Sequence, residues 1–196
     1  MRVLLMVSKF DHCLTDLLYR YHKGEMDMTI TAIVSNHLDL RPMAEREGIR
    51  FIYLPVTKET KNQGPAGGGT DEGGRRNRHR AGGTRPLHAN PLGRPVQATL
   101  GPGDQHLLPG FKGAKPYHQA YERGVKLIGA TAHYVTSDLD EGPIIEQEVQ
   151  RVDHVYLPDD LVATGRDTET VALSKAVKYH LEHRVFLNND RTVVFR

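Results

Sequence analysis

The sequence predicts an α/β fold, a Rossmann-like domain built on a mostly parallel sheet. Arg2 to Val7 (RVLLMV) is an unbroken apolar run of the kind buried on both faces of a parallel sheet. Strand and helix patterns then alternate as β-α-β-α-β as far as Pro55. A third observation sets the limit of that pattern: across residues 64–106 apolar periodicity stops and Gly, Arg and Pro crowd together, so this part is expected to be disordered or non-native.

After the first strand, Ser8-Lys9-Phe10-Asp11 reads as a loop with a helix cap. Leu14, Leu17, Leu18 and Tyr21 recur at helical spacing, which predicts a helix over Asp11 to His22 with Gly24 beyond its end. Met28 to Val34 is the second strand, and Ser35-Asn36-His37 a polar loop. Arg41 to Glu47 makes a short helix closed by Gly48, and Phe51 to Leu54 a third strand before Pro55. Right-handed crossovers between such strands put a ligand cleft at their carboxyl ends. Pattern returns after Leu108, with a helix over Tyr117 to Arg123 stopped by Gly124 and strands over Gly129 to Thr136 and Ile144 to Val152. Pro158-Asp159-Asp160 starts a long helix whose buried side is marked by Leu161, Val171, Leu173, Ala176, Val177 and Leu181, with Gly165 weakening or kinking its early part. Asn188 to Arg191 reads as a turn and Thr192 to Phe195 as a terminal strand.

The 196 residues suit one domain, 1–196, interrupted by the 64–106 segment. Hydrophobic content of 38% and a mean hydropathy of −0.50 are low for this fold class, and the deficit lies in the middle. With 26 basic and 24 acidic residues, a formal charge of +2 gives no reason to expect nucleic acid or an anionic membrane as partner. The basic stretch Gly73 to Arg80 lacks the interleaved aromatics that would stack on bases. A single cysteine, Cys13, excludes an internal disulfide and reads as a small core residue. No stretch approaches the roughly 20 apolar residues of a membrane span, and the first apolar run is short and followed by Lys9 and Asp11. A soluble, cytoplasmic protein is expected; a homo-oligomer is compatible with the sequence.

Asp138, Asp140 and Glu141 lie in a loop closed by Gly142-Pro143 between two strands. A carboxylate there can serve as general base or orient a water, although spacing alone favours an acidic surface turn. His133 lies within a strand, where it either faces a cleft or fills a core position with its ring hydrogen-bonded; taken alone, the core position carries more weight. Leu108 to Gly113 (LPGFKG) offers Gly110 and Gly113 for close approach and Lys112 for an anion, but matches neither a phosphate-binding loop nor GxGxxG. His37, His133, His154, His180 and His183 are scattered, so no metal site is expected, and His180 and His183 read as solvent-exposed.

The run LPGFKGAKPYHQAYERGVKLIGATAHYVTSDLDEGPIIEQE, with Met6 to Cys13 (MVSKFDHC), Val34 to His37 and the ending HLEHRVFLNNDRTVVFR, resembles the formyltetrahydrofolate deformylases of the formyltetrahydrofolate hydrolase and formyltransferase superfamily. The resemblance covers Arg2 to Gln63 and Leu107 to Arg196. It implies a formyltransferase fold and a hydrolase of one-carbon metabolism that splits 10-formyltetrahydrofolate into formate, destined for purine synthesis, and tetrahydrofolate. The folate is then the substrate, and no cofactor is expected. By position, Asp140 matches the family's catalytic aspartate and His133 a histidine of the pattern around it. The resemblance further makes Gly110, Lys112, Gly113, Thr136, Asp138, Glu141 and Gly142 candidates for substrate contact. An N-terminal ACT-type domain, usual in such enzymes, is expected to be absent.

The family's catalytic asparagine and histidine belong to an Asn-Ile-His-His-Ser-Phe-Leu-Pro-Gly-Phe motif, and Asp104-Gln105-His106-Leu107 stands where its His-His-Ser-Phe should be. The genetic code suggests a cause. Thr84 to Leu92 (TRPLHANPL) can be encoded so that reading one base later gives LARYMQILS, Asn77 to Thr84 can give TGTELVV, and Gly103 to His106 can give VIN. Each of these resembles the family at its own place. The sequence is therefore expected to carry a frameshift near Gln63 and a restoring change near His106, which replace a helix, two central strands and the catalytic Asn and His. Little or no turnover and a marginal fold follow from that expectation. Two alternatives remain: a phosphoribosylglycinamide formyltransferase-like enzyme, which would need a phosphate-binding glycine loop in place of Ser8 to Asp11, and a non-catalytic folate-binding remnant.

Overall fold

The computed structural model describes residues 1–55, 96–98, 116–134 and 142–196. Strand β1 (Arg2–Val7) pairs in parallel with β2 (Thr29–Ser35), which pairs in parallel with β3 (Phe51–Tyr53). The β1–β2 register slips between Val3 and Leu4, and Thr31, the residue left over, turns its hydroxyl to donate to the Val3 carbonyl at 2.8 Å. Helix α1 (His12–His22) crosses from β1 to β2, and α2 (Arg41–Arg46) from β2 to β3. Gly24, at φ 71°, ends α1 in the left-handed conformation that a glycine accepts without strain.

The later strands are antiparallel. Strand β5 (Leu127–Tyr134) pairs with β6 (Ile144–Arg151) and, on its other side, with β4 (Val96–Ala98); β7 (Val185–Asn188) and β8 (Arg191–Val194) form a separate hairpin. The connections of β5–β6 and β7–β8 are too short for a parallel crossover, which leaves antiparallel pairing. Strand β4 falls within the 64–106 segment, for which the sequence predicts no regular structure. Its Val96-Gln97-Ala98 backbone joins the free edge of β5, and edge pairing of this kind depends on ladder hydrogen bonds rather than on a long apolar pattern. The rest of that segment lies outside the described residues.

Helix α3 (Pro116–Glu122) and the long α4 (Pro158–Leu181) complete the element list. Pro158 occupies the first helical position of α4, Asp159 and Asp160 fill its first turn, and the Leu157 N–H donates to Asp160 Oδ2 at 2.9 Å. Gly165 does not interrupt the helix; it is buried and makes room for Tyr117 of α3.

One helix serves three cores. Leu173, Val177 and Leu181 of α4 join Val3, Leu5, Leu14, Leu17 and Ile33 in the largest cluster. Ala176 packs with Ala132, Tyr134, Ile145 and Val185, and Leu161 with Tyr117, Ile128 and Val152. Val171, assigned to the buried side by periodicity, is 38% exposed, because a long helix turns its apolar stripe gradually past each successive layer. Within the described residues no helix is long and apolar enough to cross a membrane.

Cys13 is buried in the largest cluster. Desolvation pushes its thiol pKa up to about 12, against a smaller opposing effect of the Thr170 hydroxyl 3.8 Å away. The folded-state pKa lies above the unfolded value of 9.0, so the associated stability is present below pH 9 and lost as pH rises from there towards about 12. A disulfide-exchange reagent at pH 8 is expected to label Cys13 at least about 100-fold more slowly in the native chain than in urea. Equal rates would contradict this burial.

Candidate functional site

Parallel α/β sheets bind ligands beyond the carboxyl ends of their strands, and here those ends are Val7, Ser35 and Tyr53, aligned by register. Ser35 is 2% exposed and ties the first two loops together. Its hydroxyl donates to the Ser8 carbonyl at 3.3 Å and accepts from the His37 N–H at 3.0 Å. Met6, Phe10, Leu38, Tyr53 and Leu54 lie exposed near this end of the sheet. Their exposure could not be read from apolar periodicity, which counts strand and loop hydrophobes alike as core.

The β1–α1 loop is held from behind by α4. Arg166 sits over the Phe10 ring at 5.5 Å, and His12 Nε2 meets Glu169 Oε2 at 2.8 Å. Tyr117 of α3 donates its hydroxyl to the other oxygen, Glu169 Oε1, at 3.3 Å. Glu169 thus joins α4 to both the start of α1 and α3. Sequence reasoning missed this cluster, whose His12 and Glu169 lie 157 residues apart.

At the end of β5, His133 is 5% exposed and donates Nδ1–H to the Tyr134 carbonyl at 2.9 Å. The β5–β6 register shifts between Ala132 and His133. Gly142 closes in on the same place: a Cβ there would lie 1.5 Å from the Tyr134 oxygen and 2.9 Å from His133 Nδ1. The Tyr134 N–H donates to the Pro143 carbonyl at 3.0 Å, so these two residues, on either side of segment 135–141, are fastened together. Tyr134 is fully buried, and its hydroxyl and His180 Nδ1 are 3.1 Å apart. His180, expected at the surface, is 5% exposed; Tyr134 supplies a polar partner inside the core that helical position cannot reveal. His183 remains exposed.

Of the candidate residues, His133 and Gly142 come together. Asp140, Thr136, Asp138, Glu141, Gly110, Lys112 and Gly113 lie outside the described residues, as do the positions at which the family motif departs. No group of three His, Cys, Asp or Glu side chains suited to a metal occurs among the described residues. The site as described provides an imidazole held against a glycine-tightened loop end, the elements of proton transfer without a nucleophile.

Residues 105–177 match the family model described as formyl transferase. The formyltetrahydrofolate deformylase of Corynebacterium sp. strain P-1 is 50% identical over 201 residues, which takes in 100% of this chain and 68% of that protein. The crystal structure of the formyltetrahydrofolate deformylase of Burkholderia mallei superposes with a TM-score of 0.75 at 44% identity, covering 100% of this chain and 70% of the other. A glycinamide ribonucleotide transformylase from Symbiobacterium toebii shares the fold at a TM-score of 0.70 and 21% identity, covering 100% of this chain and 94% of the other.

Proposed function

The chain belongs to the formyltetrahydrofolate deformylase family, and we propose that its site is built to hydrolyse 10-formyltetrahydrofolate to formate and tetrahydrofolate, with turnover withheld because the family's Asn/His pair is missing. In the reaction a water oxygen adds to the formyl carbon, the carbon–nitrogen bond breaks, and a proton passes to the leaving folate nitrogen. Asp140 takes the proton from the water, and His133 holds the loop that carries it. The observation behind this assignment is the close approach of Gly142 to Tyr134 and His133, with the Tyr134 N–H bonded to the neighbouring Pro143 carbonyl. Asp140 precedes Gly142 by two residues, so chain length alone keeps their Cα atoms within about 7 Å.

One feature of the comparisons supports a misread segment: the family match begins at residue 105, beside the restoring change expected near His106. The Asn and His are the family's groups for polarising the formyl oxygen, and loss of a single such donor costs about 10²–10³ in rate. We place the protein in the cytoplasm, with a small folate as its partner. Ribonucleotide formyl transfer is the weaker reading, since Ser8-Lys9-Phe10-Asp11 offers no glycine loop for a phosphate.

Incubation of the chain with 10-formyltetrahydrofolate tests the reading. Formate release at the background rate is expected; measurable release that Asp140→Asn abolishes would overturn the claim that turnover is withheld.

A further inference from the structure

We propose that Glu169 is a positioning residue, which sets the β1–α1 loop at the folate cleft by fixing the His12 ring as its Nε2–H tautomer. The inference rests on the folate reading above for its ligand, but its geometry is independent of that reading. A carboxylate only accepts hydrogen bonds, so the ring nitrogen 2.8 Å from Glu169 Oε2 must carry a proton. The other nitrogen, Nδ1, is buried and has no hydrogen-bond partner among the described residues. A buried N–H left unpaired is costly, whereas a bare lone pair loses less, so the proton belongs on Nε2.

The pair is shielded, with 17% of the His12 side chain and 11% of the Glu169 side chain exposed. Glu169 cannot swing away freely either. Tyr117 holds its second oxygen, and the Tyr117 hydroxyl lies where a Cβ on residue 165 would be, 1.8 Å from that position. Gly165 therefore admits the tyrosine, the tyrosine orients the carboxylate, and the carboxylate orients His12 in the first turn of α1. Directly before His12 runs the loop Ser8 to Asp11, at the carboxyl end of β1. Arg166, one helical turn before Glu169, holds Phe10 in the same loop. Two α4 side chains thus fix one edge of the cleft, and neither needs to touch the ligand.

Glu169→Leu separates positioning from simple packing, because it keeps roughly the size of the side chain and removes both acceptor oxygens. Nitrogen-15 spectra of the histidine rings in the full chain, assigned with His12→Gln, are expected to place the His12 proton on Nε2 and, in E169L, to show the averaged shifts of a ring that exchanges between both tautomers. Tyr117→Phe should leave the wild-type signature unchanged. Tetrahydrofolate titration should show affinity about tenfold weaker in E169L and a smaller loss in Tyr117→Phe. An unchanged His12 tautomer in E169L would overturn the proposal, as would a wild-type ring protonated on Nδ1. Should E169L fail to fold, the wild-type spectrum and the affinity of Tyr117→Phe decide: an Nε2–H ring with weakened binding supports the proposal, and undiminished binding refutes it. If the wild type binds no tetrahydrofolate, the folate reading fails, and the tautomer signature alone still decides the role of Glu169.

Discussion

Replacing residues 64–106 by the peptide read one base later is expected to raise formate release from 10-formyltetrahydrofolate at least about 10³-fold over the chain as it stands. The magnitude follows from what the shifted reading restores. An asparagine and a histidine aimed at the formyl oxygen stabilise the negative charge that develops there, and each preorganised donor is worth about 10²–10³ in rate. In the proposed role Asp140 activates the water but does not stabilise that charge, since a carboxylate near a developing oxyanion repels it. Restored activity should accordingly vanish in Asp140→Asn, because the polarising groups then have no base to work with. Stability should rise with it, since the shifted reading supplies apolar strands, and burial contributes about 25 cal/mol per Å². A restored chain that folds and still releases no formate would remove Asp140 and the missing pair from the account together.

Gly142→Ala is expected to cost at least about 3 kcal/mol, a large part of the roughly 5–15 kcal/mol that holds an ordinary domain together. An added Cβ would stand 1.5 Å from the Tyr134 carbonyl oxygen and 2.7 Å from its carbon. These are backbone atoms, so no rotamer change relieves the clash. Tyr134 cannot retreat, being fully buried with its hydroxyl beside His180 on α4. The alternative is for Pro143 to give up its bond from the Tyr134 N–H and for the loop end to part from His133. Urea unfolding followed by circular dichroism measures the effect, and a midpoint equal to that of the unaltered chain would show that the close approach is not needed. Gly142 was assigned to substrate contact by resemblance; the structure gives it a backbone reason as well.

Much of the fold is legible where local pattern decides it. The first strand, α1 and the start of α4 follow from an apolar run, a 3.6-residue period and Pro158-Asp159-Asp160, and their observed bounds lie within a residue of expectation. Strand β7 is not legible locally, because Val185 to Asn188 follows closely on the end of α4 and is recognisable as a strand only through its pairing with β8. The burial of His180 is not legible either, because its partner Tyr134 is 46 residues away. The site divides in the same way. His133 and Gly142 could be named from a local run, whereas the contact of His12, Tyr117 and Glu169 depends on three elements meeting in space. No single window of sequence contains that meeting. Within 64–106 the pattern itself is lost, and only codons can recover what composition hides.

The nucleotide sequence of the gene across codons 60 to 110 decides whether residues 64–106 are out of frame. The frame one base on is expected to be open throughout and to encode two apolar strands followed by the family's Asn and His. A shifted frame broken by stop codons, or one without apolar strands, would contradict it.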